Sequence, residues 1–296
     1  MTSDSVTAAE ALTTPEQVAR LIAAQFPDWA RLPVTQVAAH GTDHLLFRVG
    51  DDLVARMPRI EWAIEQAELD HRWLPVLAPH LPVAIPAPLA LGQPGEGYPW
   101  SWTIAPWLPG DNPQPETIAW VTLAEHLAGF VKALAQVDTA GGPPKTRVQR
   151  GAPLANRDDM TRAAIAELGN RIDGVRVTAV WDAALTARPA TASTWIHGDL
   201  DIGNLLVQDR RLSAVIDFGA LGVGDPAIEA FAAWHMLRGE SRQAYRAALD
   251  WDEDTWQRGR GWVLSIELVS LPYNYQRRPH FVSRSLAAIE ALLNED

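Results

Sequence analysis

The sequence predicts an α+β protein built from two lobes. Residues 1–107 contain mainly short β-rich runs, which predict a small antiparallel sheet. Residues 108–296 contain mainly apolar residues at helical spacing, which predict a mostly helical lobe. A crossover rich in Trp and Pro joins the two. We therefore expect a β-rich N-terminal lobe followed by a larger helical C-terminal lobe.

The composition is that of a soluble folded protein. The 296 residues are 47% hydrophobic and 21% charged, which is ordinary for a globular chain. A formal charge of -11 has the wrong sign for neutralising nucleic-acid phosphates, so no nucleic-acid partner is expected. The absence of cysteine excludes disulfides, thiolate metal sites and a Cys nucleophile. With no signal-peptide pattern and no long uncharged apolar run, we expect a cytoplasmic monomer without membrane contact.

The N-terminal lobe is predicted to begin with a helix. Thr14 has the residue type of a helix cap, and Pro15 suits the first helical position. The turn Gly50–Asp52 separates two of the three short strands that follow. The predicted elements are a helix near 15–26, strands within 34–57, a helix over 60–77, and extended segments over 82–92 and 98–108.

The C-terminal lobe is predicted to be helical with three short apolar interruptions. Those interruptions have the length and residue types of strands. The predicted helices lie near 116–137, 157–170, 176–188 and in several segments after 225, and the strands lie within 194–197, 204–208 and 212–218.

The most informative stretch is His197–Asn204, HGDLDIGN, called the catalytic loop below. Asp-Phe-Gly follows at Asp217, thirteen residues after Asn204, and the combined pattern is typical of phosphotransferases. Asp199 is the candidate catalytic base, because a hydroxyl that attacks phosphorus needs a carboxylate to orient it and accept its proton. Asn204 and Asp217 offer the hard oxygen ligands that Mg²⁺ prefers. Because a predicted hairpin separates them, we expect these two side chains to lie close together.

Two further residues are expected to support this loop. His197 is predicted to hold it by hydrogen bonds rather than to contact a substrate. Downstream, Gly222–Ala227 resembles a dinucleotide-binding fingerprint, but no series of parallel strands and helices follows it, so we reject that interpretation. Asp225 is instead predicted to cap a helix before Pro226 or to support the catalytic loop.

The N-terminal lobe offers candidate nucleotide-binding groups. Gly41 and Thr42 lie between the first two predicted strands, where backbone N–H groups can approach phosphates. Arg56, among apolar neighbours on the third strand, is the candidate phosphate-contacting cation. Asp70, or as second choice Glu68, is its candidate acidic partner on the following helix.

At these motifs the sequence resembles the aminoglycoside and macrolide phosphotransferase family, relatives of choline kinase with a protein-kinase-like bilobal fold. The resemblance covers about residues 34–290 and rests on HGDLDIGN, VIDFG, GVGDPA, LVARMPR, and WLPVLAPHLPVAIP before WTIAPWLPG. It implies that the γ-phosphoryl group of ATP or GTP is transferred to an antibiotic hydroxyl, with Mg²⁺ as cofactor.

The resemblance also implies roles for single residues. Four positions depart from the common pattern: Arg56 replaces Lys, Asp70 replaces Glu, Asp201 replaces His and Glu229 replaces Asp. Arg56 remains chemically adequate, because a guanidinium binds phosphate in a bidentate way. The implied roles are Asp199 as base, Asn204 and Asp217 as Mg²⁺ ligands, Arg56 with Asp70 or Glu68 as phosphate clamp, and backbone near Ala105 to Trp107 as nucleobase hinge.

The acceptor is expected to be a small molecule rather than a protein. Gly198 stands where protein kinases carry Arg, and five residues between Gly219 and Asp225 are too few for an activation loop. The closeness of the resemblance favours an aminoglycoside, with a macrolide as runner-up. A housekeeping sugar or amino-alcohol kinase and a nucleotide-binding pseudokinase remain alternatives.

Candidate acceptor-binding residues lie in the helical lobe. Acidic side chains can neutralise a polycationic aminoglycoside, and aromatic side chains can line a pocket for a lactone. For most of these aromatics we expect a place in the helical core, and for the acids a solvated face. The acids are Asp201, Glu229 and Glu267, and the aromatics are Phe231, Trp234, Trp262, Tyr273 and Tyr275.

Overall fold

The computed structural model describes residues 13–38, 43–60, 63–114, 118–275 and 277–294. The described residues fall into two compact units: Met1–Gly110 with Ala214–Gly219, and Asp111–Ser213 with Ala220–Asp296. A five-stranded antiparallel sheet organises the first unit and helices organise the second, which confirms the predicted α+β class.

Two short segments group differently from the domain prediction. The predicted C-terminal lobe includes all of 108–296, whereas residues 108–110 and the segment Ala214–Gly219 belong to the first unit. A backbone hydrogen bond from Val215 N–H to the Ala84 carbonyl, 3.0 Å long, ties this segment to the first unit. Asp217 therefore lies in the same unit as the sheet.

The sheet of the first unit has five strands in the order Val34–Gln36, His44–Val49, Leu53–Pro58, Trp102–Pro106 and Ala90–Gly92, and every neighbouring pair is antiparallel. The apolar faces of the first helix and of the sheet enclose one core. The elements of this unit are α1 (Pro15–Gln25), β1 (Val34–Gln36), β2 (His44–Val49), β3 (Leu53–Pro58), α2 (Ile64–Leu77), β4 (Ala90–Gly92) and β5 (Trp102–Pro106).

The first helix forms as its sequence predicts. The Thr14 side chain accepts a hydrogen bond from Gln17 N–H at 3.3 Å, and Pro15 occupies the first turn. Val18 and Leu21, which are fully buried, carry the apolar face into the core. Gly50, with φ +59, forms the turn between β2 and β3, where a residue with a side chain would be strained.

Two predicted elements of this unit are shorter in the structure. The helix expected from residue 60 begins at Ile64. The extended segment 82–92 contributes a strand only at Ala90–Gly92. Pro82, Pro86 and Pro88 precede that strand, and proline has no N–H to donate to a sheet.

The second unit is built around the long helix Glu253–Asn274, which packs against the helices Asp158–Leu168, Gly174–Thr186, Phe231–His235 and Pro279–Leu293. Among the described residues, no helix is long and apolar enough to cross a membrane. The helices are α3 (Trp120–Ala135), α4 (Asp158–Leu168), α5 (Gly174–Thr186), α6 (Phe231–His235), α7 (Gly239–Leu249), α8 (Glu253–Asn274) and α9 (Pro279–Leu293). The remaining strands of the chain are β6 (Thr194–Ile196), β7 (Leu205–Gln208), β8 (Arg211–Val215) and β9 (Gly222–Gly224).

Strand β9 was not predicted and explains the glycines of the rejected dinucleotide fingerprint. It pairs antiparallel with β6, and a 3-10 helix at Pro226–Ala230 follows it. A Cβ on Gly222 would lie 2.5 Å from Cε of Lys145, and one on Gly224 would overlap the Gly151 carbonyl. The glycines therefore allow close packing within the second unit, and the strand does not open a parallel βαβ unit.

The predicted hairpin between Asn204 and Asp217 is present as β7 and β8, which pair in a two-stranded sheet. Its turn residues Asp209 and Arg210 have φ values of 51 and 63. Two successive residues in the left-handed region are typical of a two-residue hairpin turn.

Candidate active site

The catalytic loop follows directly after β6 and begins with a sharp turn. Gly198 has φ +77, and a Cβ at this position would lie 3.1 Å from the Ala220 carbonyl, so a residue with a side chain would be strained there. The side chain of His197 is fully buried, and its Nδ1 accepts a hydrogen bond from Asp199 N–H at 3.2 Å. As predicted, His197 holds the loop through a hydrogen bond.

Asp199, the candidate base, lies on this loop with its side chain 35% exposed. Its Oδ1 is paired with Nη1 of Arg150, and the same nitrogen donates to the Gly198 carbonyl at 3.1 Å. Sequence reasoning did not identify Arg150, which precedes Asp199 by almost fifty residues and belongs to no recognised motif. The carboxylate is thus accessible and held by a cation from a separate segment.

Asn204 closes the loop and is oriented by it. Its Nδ2 donates to the Asp199 carbonyl at 2.9 Å, which leaves Oδ1 as the atom suited to a cation. A second amide, Asn112, donates from Nδ2 to the carbonyls of Gly203 and Leu205, both at 2.9 Å. Asn112 therefore fixes the end of the loop, and no sequence pattern indicated this role.

Glu229 supports the loop, which corrects its prediction as an acceptor-binding acid on a solvated face. It is 2% exposed and accepts hydrogen bonds from the backbone N–H groups of His197 and Gly198. Burial raises the pKa of Glu229 to about 7, although the two backbone hydrogen bonds oppose this change. A carboxylate so enclosed anchors the loop from within and presents no surface to an acceptor.

Asp225 caps a helix, one of its two predicted roles. Its Oδ1 accepts from Ala227 N–H at 3.0 Å at the start of the 3-10 helix Pro226–Ala230. Its Oδ2 pairs with Nε of the buried Arg258 at 2.6 Å. The alternative role, support of the catalytic loop by a buried carboxylate, is performed by Glu229.

Asp201, also predicted to bind an acceptor, belongs to a chain of charged groups. Its Oδ2 lies 3.1 Å from Nη2 of Arg284, and its Oδ1 lies 3.5 Å from Nε2 of His235. The other ring nitrogen of His235 lies 2.7 Å from Oε1 of Glu267. Burial alone would lower the pKa of His235, but the hydrogen bonds and charges of the two carboxylates outweigh it and raise this pKa. Glu267 is 1% exposed, so its prediction as an acid on a solvated face is wrong.

Three of the predicted acceptor-site aromatics are core residues. Phe231, Trp234 and Trp262 are 4%, 1% and 0% exposed, so their faces are covered by protein. Tyr273 is 63% exposed and Tyr275 is half-buried, so these two remain predictions for the acceptor site.

The first unit contains the predicted cation with its acidic partner. Arg56 on β3 is 9% exposed, and its Nη1 lies 2.9 Å from Oδ2 of Asp70 on α2. Gln66 donates to the other Asp70 oxygen at 2.6 Å. Glu68, the second choice, is exposed and accepts instead from the Ser101 hydroxyl at 3.2 Å. The acidic partner of Arg56 is therefore Asp70.

Asp217 follows β8 in an unusual backbone conformation. Its φ is +62, a region that residues with a side chain adopt at a cost of about 1 to 3 kcal/mol and that is enriched at functional sites. Its side chain is 50% exposed, and Oδ1 lies 3.9 Å from Nη2 of Arg56. Gln66 donates to the Phe218 carbonyl at 3.0 Å, which fixes the adjoining backbone.

Part of the backbone predicted as the nucleobase hinge is already hydrogen-bonded within the protein. Ala105 is fully buried in β5 and pairs with Val54 of β3. The Trp107 N–H donates to the Asp52 carbonyl at 2.7 Å, so this N–H is already used within the protein. Gly41 and Thr42, predicted to approach phosphates, lie outside the described residues.

Comparison with known proteins identifies one matching family. The model of the family described as phosphotransferase enzyme family matches residues 34–262. No curated protein matches the chain.

Solved structures match over nearly the whole chain. APH(2")-IIIa, solved with GDP and kanamycin, is 20% identical with a TM-score of 0.72, covering 93% of this chain and 97% of that one. The macrolide 2'-phosphotransferase MphH from Brachybacterium faecium is 22% identical with a TM-score of 0.62, covering 95% and 98%. APH(2")-IIa, solved with streptomycin and ATP, is 14% identical with a TM-score of 0.57, covering 93% and 96%. These likenesses show the shared kinase-like fold.

Proposed function

This chain belongs to the phosphotransferase enzyme family, and we propose that it transfers the γ-phosphoryl group of ATP or GTP to a hydroxyl group of an antibiotic. The observation that carries the proposal is the catalytic loop. There the partly exposed Asp199 carboxylate and the oriented amide of Asn204 lie on a loop whose backbone N–H groups bond to the buried His197 and Glu229. Rigid support of an accessible base is what a transfer reaction requires.

In the proposed reaction the acceptor hydroxyl oxygen forms a bond to the γ-phosphorus. The bond from that phosphorus to the β–γ bridging oxygen breaks, and its electron pair leaves with the nucleoside diphosphate. The hydroxyl proton passes to the Asp199 carboxylate. Arg56, which is paired with Asp70, is proposed to contact the phosphates of the nucleotide.

Asn204 and Asp217 are proposed as the protein ligands of Mg²⁺. The donor chemistry fits, because an amide oxygen and a half-exposed carboxylate are hard ligands. Among the described residues there is no cluster of three or more His, Cys, Asp or Glu side chains that could hold a metal. The remaining ligands of the ion are proposed to come from phosphate and water. When bound, Mg²⁺ neutralises phosphate charge.

The acceptor proposed first is an aminoglycoside, and the second is a macrolide. The similar structures include enzymes named for both classes. Within this chain, the charge of Asp201 is paired with Arg284, and Glu229 and Glu267 are buried. These engaged carboxylates weaken the electrostatic reason for preferring a polycation, so both classes need to be compared directly.

The test is nucleoside diphosphate release with ATP and GTP as donors. Purified protein with Mg²⁺ is supplied with aminoglycosides, macrolides, simple sugars or amino alcohols. We expect release that depends on an antibiotic, together with a phosphorylated antibiotic by mass spectrometry. Release with a sugar or amino alcohol alone would indicate a housekeeping kinase. Nucleotide binding without transfer to any acceptor would indicate a pseudokinase.

A further inference from the structure

The catalytic loop, HGDLDIGN, contains neither Lys nor Arg. The cation beside its carboxylate comes from Arg150, which lies outside the loop in sequence. One nitrogen of this guanidinium, Nη1, contacts both Oδ1 of Asp199 and the Gly198 carbonyl. Arg150 thus holds the backbone and the side chain of the loop at the same point.

The segment that carries Arg150 is fixed to the structure that precedes the loop. Gly151 has φ +82, and a Cβ on it would overlap the Ile196 side chain at the end of β6. The Gly151 carbonyl accepts a hydrogen bond from Asp225 N–H at 2.7 Å. These contacts fix the backbone beside Arg150 relative to β6, which leads into the catalytic loop.

The guanidinium of Arg150 is partly desolvated. Its side chain is 32% exposed, and Cζ lies 5.8 Å from the centroid of the Phe231 ring. An ion pair of this kind is less screened by water than one on the open surface. Part of the guanidinium therefore lies against protein rather than water.

We propose that Arg150 is a positioning residue for Asp199. By occupying Oδ1 it holds the carboxylate in one orientation, which leaves Oδ2 to accept the proton of the acceptor hydroxyl. This proposal rests on the proposed function of Asp199. It assigns Arg150 an effect on transfer that acts through Asp199 and not through the nucleotide.

The first experiment compares R150M and R150K with R162M. R150M removes the guanidinium and keeps an unbranched apolar stem, whereas R150K keeps the charge without the planar fork. Arg162 is a half-exposed arginine of the second unit that pairs with Asp158 and Asp182, so R162M is the matched control. We expect R150M to lower kcat by about 10-fold to 100-fold with nucleotide affinity within twofold, R150K to recover part of kcat, and R162M to match wild type.

A double-mutant cycle then tests whether Arg150 acts through Asp199. If it does, R150M in the D199N background causes little further loss, because the group to be oriented is already disabled. The same loss in both backgrounds would overturn the proposal, since Arg150 would then act directly on the phosphoryl group or acceptor. Wild-type kcat in R150M would overturn it equally.

A structural measurement separates this proposal from the proposed function. If the wild-type protein transfers phosphate to no acceptor, the proposed function fails, and crystal structures of wild type and R150M still test the orientation. We expect one Asp199 rotamer in wild type and more than one in R150M. A single unchanged rotamer in R150M would show that Arg150 does not position Asp199.

Discussion

At the scale of single residues, the buried carboxyl of Glu229 links the start of the catalytic loop to the helical unit. Burial raises its pKa to about 7. Between pH 4.5, its ordinary pKa, and about pH 7, the carboxyl therefore keeps its proton in the folded protein and loses it in the unfolded chain. Because the folded state binds more protons than the unfolded state in this window, wild-type stability falls as the pH rises through it.

The variant E229Q is expected to lose this dependence, because the amide does not titrate. Relative to wild type, its free energy of unfolding should rise by up to about 3 kcal/mol between pH 4.5 and pH 7.5. Urea denaturation at a series of pH values measures the difference, with E240Q at an exposed position of α7 as the control. A difference that stays constant with pH would show that Glu229 does not titrate in this range.

In the first unit, the buried ion pair of Arg56 and Asp70 is the proposed phosphate clamp. R56M removes a cation proposed to contact phosphate, and a charge-assisted contact of this type contributes about 1.5 to 3 kcal/mol. Calorimetry should therefore show nucleotide affinity lowered by about 10-fold to 100-fold with both ATP and GTP.

E68Q is the matched control for this measurement. Glu68 lies on the same helix as Asp70, but its carboxylate accepts a hydrogen bond from Ser101 and does not pair with Arg56. The variant should therefore bind nucleotide like wild type. Equal losses in R56M and E68Q, or unchanged affinity in R56M, would contradict the assignment of Arg56 and Asp70 as the phosphate clamp.

At the scale of elements, sequence patterns predict those whose residues have strong local preferences. The Thr14 cap and Pro15 predict α1, and the hairpin between Asn204 and Asp217 was also predicted. Strand β9 was missed because Gly-Val-Gly has a low strand propensity, and its pairing with β6 comes from tertiary packing. The predicted extended segment 82–92 forms a strand only at its end, because its prolines favour extended backbone without supplying donors for a sheet.

The packing around β9 predicts a large effect from one added methyl group. In G224A the new Cβ would overlap the Gly151 carbonyl, and since both are backbone positions the strand must shift. We expect a loss of about 1 to 3 kcal/mol in the free energy of unfolding, measured by urea denaturation.

The control for this prediction is G129A in α3, where a Cβ meets no atom within 4 Å. This variant should be stabilised by about 0.5 to 1 kcal/mol, because alanine favours a helix more than glycine does. A G224A protein as stable as wild type would mean that β9 does not pack against the Gly151 segment as described.

At the scale of the whole molecule, the sequence predicted the fold class and the residues of short motifs better than the groups that support them. Asp199 and Asn204 lie in one eight-residue pattern, so their spacing is visible in the sequence. Arg150, Asn112 and Glu229 contact the same loop from distant parts of the chain, and only folding brings them there. Glu229 and Glu267 were misjudged as acids on a solvated face for the same reason, because burial depends on tertiary structure.

The central claim is that Asp199 accepts the proton of an acceptor hydroxyl, and D199N tests it most directly. This substitution keeps the shape of the side chain and removes its charge and basicity. Calorimetry of nucleotide binding is measured together with steady-state transfer to an antibiotic that proves to be a substrate. We predict nearly unchanged nucleotide affinity and transfer lowered by about 10²-fold to 10⁴-fold. Transfer within a few-fold of wild type would contradict the account, because the reaction would then proceed without Asp199 as its base.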